Sequence, residues 1–256
     1  MTRLIWRAGP LLTLAAVIAA WHVVVARGWL GNPFVLPGPG AVAQRAGDLW
    51  SDGSLLRDLR ITLGRVLAAF GLALCAGTVA GLAMGRSETA RAALRPLVGL
   101  GFPAPKIAMF PALVILLGLG TASKVALGFA EAVFPITAAV AAAASRVPER
   151  LTWSAESMGS SRSLVAFRVV LPSALPGLLA GARVGLIGAI IGVYVGEMVV
   201  SSDGLGHAMV AGWRQLDTAQ LYVSVAAVSV LGFVLDGLLL LARRRLLRWA
   251  PENASG

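Results

Sequence analysis

Residues Ala155–Gly181 read AESMGSSRSLVAFRVVLPSALPGLLAG. This stretch is a polar, basic island between two long apolar runs. Glu149 to Met158 is predicted to be helical, and Gly159-Ser160-Ser161 breaks that helix. Ser163 to Val170 forms a second short helix, which Leu171-Pro172 ends because proline cannot continue the hydrogen-bond ladder. The glycine allows a sharp turn that other residues resist. An island built this way is a helix–turn–helix loop on a membrane surface, open to a soluble partner.

The surrounding sequence supplies the membrane. Of the 256 residues 57% are hydrophobic and only 13% are charged, with a mean hydropathy of +0.81. A soluble domain carries about 25% charged residues. The expected fold is therefore an all-α polytopic membrane protein, a single transmembrane domain over residues 1–256. A spanning helix needs ~20 mostly apolar residues. Six such spans are expected, at about 8–26, 61–84, 96–118, 123–144, 177–200 and 219–242, with a surface loop over 145–176. The first also reads as a signal peptide, with Arg3 and Arg7 before the apolar run and Val24-Val25-Ala26 as the cleavage region.

The basic residues orient these spans. With the N-terminus inside, thirteen arginines fall on inner segments: Arg3, Arg7, Arg86, Arg91, Arg95, Arg146, Arg150, Arg162, Arg168, Arg243, Arg244, Arg245 and Arg248. Five fall outside: Arg27, Arg45, Arg57, Arg60 and Arg214. Both termini and the 145–176 loop are thus expected in the cytosol. The net charge of +10 follows from this asymmetry, and no nucleic-acid partner is implied.

Other segments carry weaker signals. Leu36-Pro37-Gly38-Pro39-Gly40 is a turn cluster, and the leucines that follow it alternate with charges, as in one or two short surface helices. Pro103, Pro105, Pro111, Gly118 and Gly120 break the region 101–124. Such a segment either lines a pathway or is a kinked packing helix, since irregular backbone at membrane depth must be covered by protein or border a water-filled cavity. Gly77, Gly81 and Gly85, and Gly177, Gly181 and Gly185, recur every four residues. That spacing places small residues on one helix face, either for tight packing or, in the fifth span, at a subunit interface or pore.

Ionisable groups inside spans are costly and often functional. Lys106, Glu131, Arg183 and Glu197 are the translocation-pathway candidates. Lys106 and Arg183 suit a small anion, or else pair internally with carboxylates and carbonyls. Asp236 is expected to pair with Arg243 and Arg244 nearby. Trp6, Trp29, Trp50, Trp213 and Trp249 fall near span ends, as an aromatic belt would. One cysteine, Cys75, and two histidines, His22 and His207, cannot supply a metal centre. No GxxxxGK[ST] loop is present and no nucleophile–histidine–acid set, so neither an ATPase nor another enzyme is expected. An integral-membrane enzyme would need a polar catalytic cluster on one side. A secondary transporter would show an internal repeat, and none is evident.

The spacing Gly159, nine residues, Val169, one residue, Leu171-Pro172 resembles the coupling loop of bacterial ABC importer permeases. That loop has the pattern Glu-Ala-Ala, three residues, Gly, nine residues, Ile, one residue, Leu-Pro. Here the glutamate position holds Trp153 and the first alanine position Ser154; only Ala155 agrees. Pro105-Lys106-Ile107-Ala108, Leu117-Gly118-Leu119-Gly120, Glu197-Met198 and Gly204-Leu205-Gly206 resemble the nitrate/sulfonate/taurine branch, which is itself similar to permeases for pyrimidine precursors of thiamine. The resemblance implies a type I importer permease in a bacterial inner membrane, acting as a homodimer. It also implies two cytosolic ATP-binding subunits, which hold ATP and Mg²⁺, and an external substrate-binding protein. The solute would be a small anion such as a sulfonate, taurine or nitrate, or else a pyrimidine. By this resemblance Ala155, Glu156, Ser157, Met158, Gly159, Ser160, Ser161, Arg162, Leu171 and Pro172 would dock on the ATPase.

Overall fold

The computed structural model describes residues 2–29 and 35–249, with the side chains of residues 2–8, 10, 11, 14 and 162 outside that description. Among the described residues every regular element is helical. Four helices are long and apolar enough to cross a membrane, or five if one bent pair counts as a span. The six expected spans therefore map unevenly onto the structure.

Helix α1 covers Thr2–Ala26. Its described apolar part, Ala15–Ala26, is shorter than a crossing, so the span expected at 8–26 is not established by the described residues. Helix α2, Pro39–Ser51, starts on the Pro-Gly cluster, with Gly38 as its N-cap and proline in the first turn. It is the amphipathic surface helix expected there. The leucines after it do not form a second one. Gly53, at φ 77, turns the chain directly into α3, Ser54–Arg86, which begins seven residues before the expected span at 61.

The third expected span is not one helix. Helix α4, Glu88–Gly101, and the run from a 3-10 turn, Lys106–Met109, into α5, Phe110–Leu117, meet at 92°. Pro103 and Pro105 withhold two N–H donors where the ladder would continue. Helix α6, Thr121–Ser145, matches its expected span. The fifth apolar helix runs 37 residues from Ser163 to Val199 and so begins well before 177. It is followed by α10, Leu205–Arg214, and α11, Thr218–Leu246.

The core forms where α6 is sandwiched between α3 and the 171–199 helix. Val66, Ala69, Ala73, Ala132, Ile136, Val140, Ala189 and Val193 have no exposed surface. Lipid tails are as apolar as these side chains, so close backbone approach must supply the attraction. Both glycine stripes provide it, and both face α6. A Cβ on Gly81 would lie 2.6 Å from Cβ of Val140, and one on Gly192 would lie 2.8 Å from Cα of Gly128. The tight-packing reading of the stripes is the one observed. Helix α3 runs parallel to α6, because the bent pair returns the chain, and the 171–199 helix runs antiparallel. Trp29, Trp50, Trp213 and Trp249 are all exposed; the side chain of Trp6 lies outside the described residues.

Candidate functional site

Helix α7, Glu149–Ser157, follows Pro148 at the end of the bundle where α3 and α6 finish. Thr152 and Ala155, three residues apart, point inward and are buried. The guanidinium of Arg86, at the end of α3, donates to Oγ1 of Thr152 (3.0 Å) and to the carbonyl of Val147 (3.4 Å). Val147, Ala155, Val165, Val170 and Ala174 complete a small core with Ala144 of α6. The outer face of α7 is left open, with Trp153 62% and Met158 80% exposed beside Leu151 and Glu156.

The turn is a glycine-dependent helix stop. The N–H of Ser160 donates to Ala155 O (3.1 Å) and that of Gly159 to Glu156 O (2.9 Å), with Gly159 at φ +84. This is the paired closure that a left-handed residue after a helix allows. Ser161 then opens α8, Arg162–Val165, with its Oγ accepting from the N–H of Leu164. Ser157, Met158, Gly159 and Ser161 are all exposed; the side chain of Arg162 lies outside the described residues.

One expectation fails here. The helix does not end at Leu171-Pro172. It passes through a π-helical turn, Ala166–Val170, into α9, Leu171–Val199. The N–H of Leu171 reaches back five residues to Ala166 O. This wider turn moves the preceding carbonyls away from the proline ring, and Ser173 Oγ takes the carbonyl of Val169 (2.7 Å). Such turns are inserted at specific points in otherwise regular helices. Between α7 and this helix lies a cleft of about 380 Å³ lined by Arg86, Thr152, Glu156, Val165, Ala166 and Val170.

The charged residues of the spans are paired. Lys106 is buried; its ammonium donates to Phe102 O (3.1 Å) and to Glu131 (3.3 Å), and lies 5.7 Å from the centre of the Phe134 ring. It ties the 92° bend to α6. Arg183 makes two bonds to Asp236, at 2.6 and 2.8 Å, across α9 and α11. Asp236 therefore does not pair with Arg243 and Arg244: two turns along one helix is ~10 Å, whereas α9 passes alongside. The guanidinium of Arg183 remains half exposed, in a groove of about 340 Å³ with Ile187, Ile190 and Phe233.

Glu197 belongs to a buried cluster at the opposite end from α7. It has no exposed surface and accepts from Thr62 (2.8 Å), Arg65 (2.8 Å) and the N–H of Gly206 (3.1 Å). Arg65 also donates to Asp203 (2.6 Å), Thr62 accepts from Leu205 N, and Asp58 accepts from Gly204 N. Lys124 is buried beside this cluster and donates to Leu119 O. Partial burial raises the carboxyl of Asp203, but the hydrogen bond and charge of Arg65 outweigh it and hold the group below its ordinary value. Gly204, at φ +93, leaves room for the Glu197 carboxylate. The sequence pointed to Glu197 and the Gly-Leu-Gly turn but not to Arg65, Asp203, Asp58 or Thr62. The signal for Arg65 was its place as the one arginine in the apolar stretch 61–84, with Glu197 the one acidic residue of α9. The hydroxyl and loop carboxylates had none. Among the described residues no three His, Cys, Asp or Glu side chains gather as metal ligands.

Residues 73–248 match the family model of the binding-protein-dependent transport system inner membrane component. The taurine transport system permease protein TauC of Escherichia coli (strain K12) is 32% identical over 94% of this chain and 89% of its own length. The formylaminopyrimidine transport permease protein ThiX of Halalkalibacterium halodurans is 27% identical over 88% of this chain and 89% of its own. Among solved structures, a chain of the inward-facing MetNI methionine ABC transporter superposes with a TM-score of 0.61. The match is 23% identical and covers 76% of this chain and 94% of that one. The chain therefore belongs to the family of binding-protein-dependent transport inner membrane components, as a multi-pass inner-membrane permease of an ABC importer and not an enzyme.

Proposed function

We propose that two copies of this chain form the translocation pathway of an importer for a small sulfonate such as taurine, and that the 149–172 segment docks on a separate ATPase. The observation that carries the docking is the asymmetry of α7. Its inner face is fixed to the bundle through Arg86 and Thr152, while Leu151, Trp153 and Met158 stand open beside the left-handed turn at Gly159. A segment anchored on one side and apolar on the other suits a soluble partner's cleft. ATP and Mg²⁺ are held by that partner, and a substrate-binding protein delivers the solute from outside. Where the family carries glutamate, Trp153 meets the ATPase, with Glu156 as the nearby carboxylate.

The anion reading rests on the taurine relative and on the half-exposed guanidinium of Arg183. Lys106, Glu131 and Arg183 are the pathway residues in this reading, and Glu197 braces the outer end. The test is uptake of labelled taurine by proteoliposomes holding the permease, its ATPase and its binding protein, with formylaminopyrimidine as the competing solute. A Cβ at Gly159 would touch nothing within 4 Å, so Gly159→Val acts only through the φ of the turn, at roughly 1–2 kcal/mol. It is expected to cut uptake about tenfold and to abolish the stimulation of ATP hydrolysis, with docking of the binding protein unchanged. Wild-type uptake and stimulation in Gly159→Val overturn the docking role. Uptake of the pyrimidine and not of taurine overturns the solute class.

A further inference from the structure

A groove of about 400 Å³ opens at the α7 end of the bundle between α3, α4 and α6. That volume lies within the ~300–1,000 Å³ of small-molecule sites. Its rim is Arg91 and Arg95, one turn apart on α4; its walls are Met84, Val98, Ala138 and Ala141. Arg91, Arg95, Val98 and Gly99 recur at the spacing of one helix face. From Arg91 to Gly99 the face descends ~12 Å along the helix, from the level where α3 and α6 end into the apolar layer.

The two guanidinium groups are set differently. Arg91 is fixed by bonds from Nε to Met84 O (2.9 Å) and from Nη2 to Gly85 O (3.2 Å), which leaves Nη1 open. Among the described residues no side chain forms an ion pair with Arg91 or Arg95, although Glu88 lies a turn away on the same helix. Two cations at the rim of an apolar trough match a phosphodiester joined to an acyl chain. Basic pockets between membrane helices select such head groups, and guanidinium binds phosphate through paired donors.

We propose that this groove binds one anionic phospholipid, with its phosphate on Arg91 and Arg95 and an acyl chain along Val98, Gly99 and Ala138. The site is independent of the solute carried. The test uses the full-length permease with its ATPase, purified from vesicles of equal phosphatidylglycerol and phosphatidylethanolamine and examined by native mass spectrometry. One phosphatidylglycerol per permease chain is expected to stay bound, favoured about tenfold, as one well-placed charge contact of ~1.4 kcal/mol would give. Arg95→Gln should bring the preference close to unity. A Cβ on Gly99 would meet nothing within 4 Å, so Gly99→Phe should fill the trough and release the lipid, with the melting temperature of the chain unchanged. Equal retention of the two lipids by the wild type overturns the proposal, as does lipid retained by Gly99→Phe. Displacement of the lipid by millimolar inorganic phosphate assigns the arginines to a free anion and overturns it too.

Discussion

Glu197 has no exposed surface, and its oxygens take hydrogen bonds from three groups on two segments of chain, α3 and the turn at Gly206. A carboxylate in that position is tolerable only while Arg65 stays beside it. Breaking a buried pair by removing one partner costs about 3–5 kcal/mol, while replacing both by apolar groups is often neutral. Arg65→Met should therefore lower the melting temperature of the detergent-solubilised chain sharply, and Arg65→Met with Glu197→Leu should recover much of the loss. Thermal unfolding followed by tryptophan fluorescence measures both; equal loss in the single and double variants would mean that packing rather than charge holds this corner. Asp203 adds a pH dependence. Its folded carboxyl lies below the ordinary value of 3.8, so its contribution is complete above that value and disappears as the pH falls through the lowered one. Loss of Lys106 likewise leaves a carboxylate without its partner, that of Glu131. Lys106→Gln is expected to slow uptake per unit of assembled complex in proteoliposomes, because the bend between α4 and α5 loses its tie to α6. Unchanged specific uptake would show that the prolines alone fix the bend.

Helix α6 organises the elements around it through glycine. On α3 the contact is selective: a side chain on Gly81 would strike Val140 and the carbonyl of Thr137, whereas one on Gly71 would meet nothing within 4 Å. Gly81→Leu should reduce the amount of assembled protein several-fold, since inserting bulk into a packed interface costs about 1–3 kcal/mol or more. Gly71→Leu should leave it unaffected, and membrane yield with melting temperature reads the contrast. The four-residue glycine spacing was legible in the sequence; the neighbour it faces was not, because spacing reports a face and not what covers it. The prolines at 103 and 105 announced a break but neither its 92° angle nor the tie from Lys106 to Glu131 beside it. At Pro172 a local rule misled. Proline stops a regular helix, yet a π-helical turn five residues long lets this one continue, and turn width leaves no mark in composition. Asp236 misled in the same way: its nearest cations in sequence are not its nearest in space.

For the molecule as a whole, the arginine bias predicts which end of the bundle faces the cytosol. Impermeant thiol labelling of Ser160→Cys and of a C-terminal cysteine, in a chain with Cys75 replaced, is expected only from the cytosolic side, and Asp52→Cys only from outside. Labelling of Ser160→Cys from outside would reverse the bundle and remove the ATPase from reach of α7. Composition and periodicity were enough for the membrane class and for most apolar helices, because both are properties of single segments. The ion cluster around Glu197 joins residues more than a hundred positions apart, and only folding reveals it. One feature of the bundle bears on how it works. The helix from Ser163 to Val199 has no loop in it and at ~1.5 Å per residue is about 55 Å long, well beyond the ~30 Å of a bilayer's hydrocarbon. One tip begins just past the Gly159 knuckle; Glu197 is bolted down near the other. With the 149–172 segment docked as proposed, a thrust at the knuckle would meet no loop along this helix and would reach the far tip as the swing of a single lever.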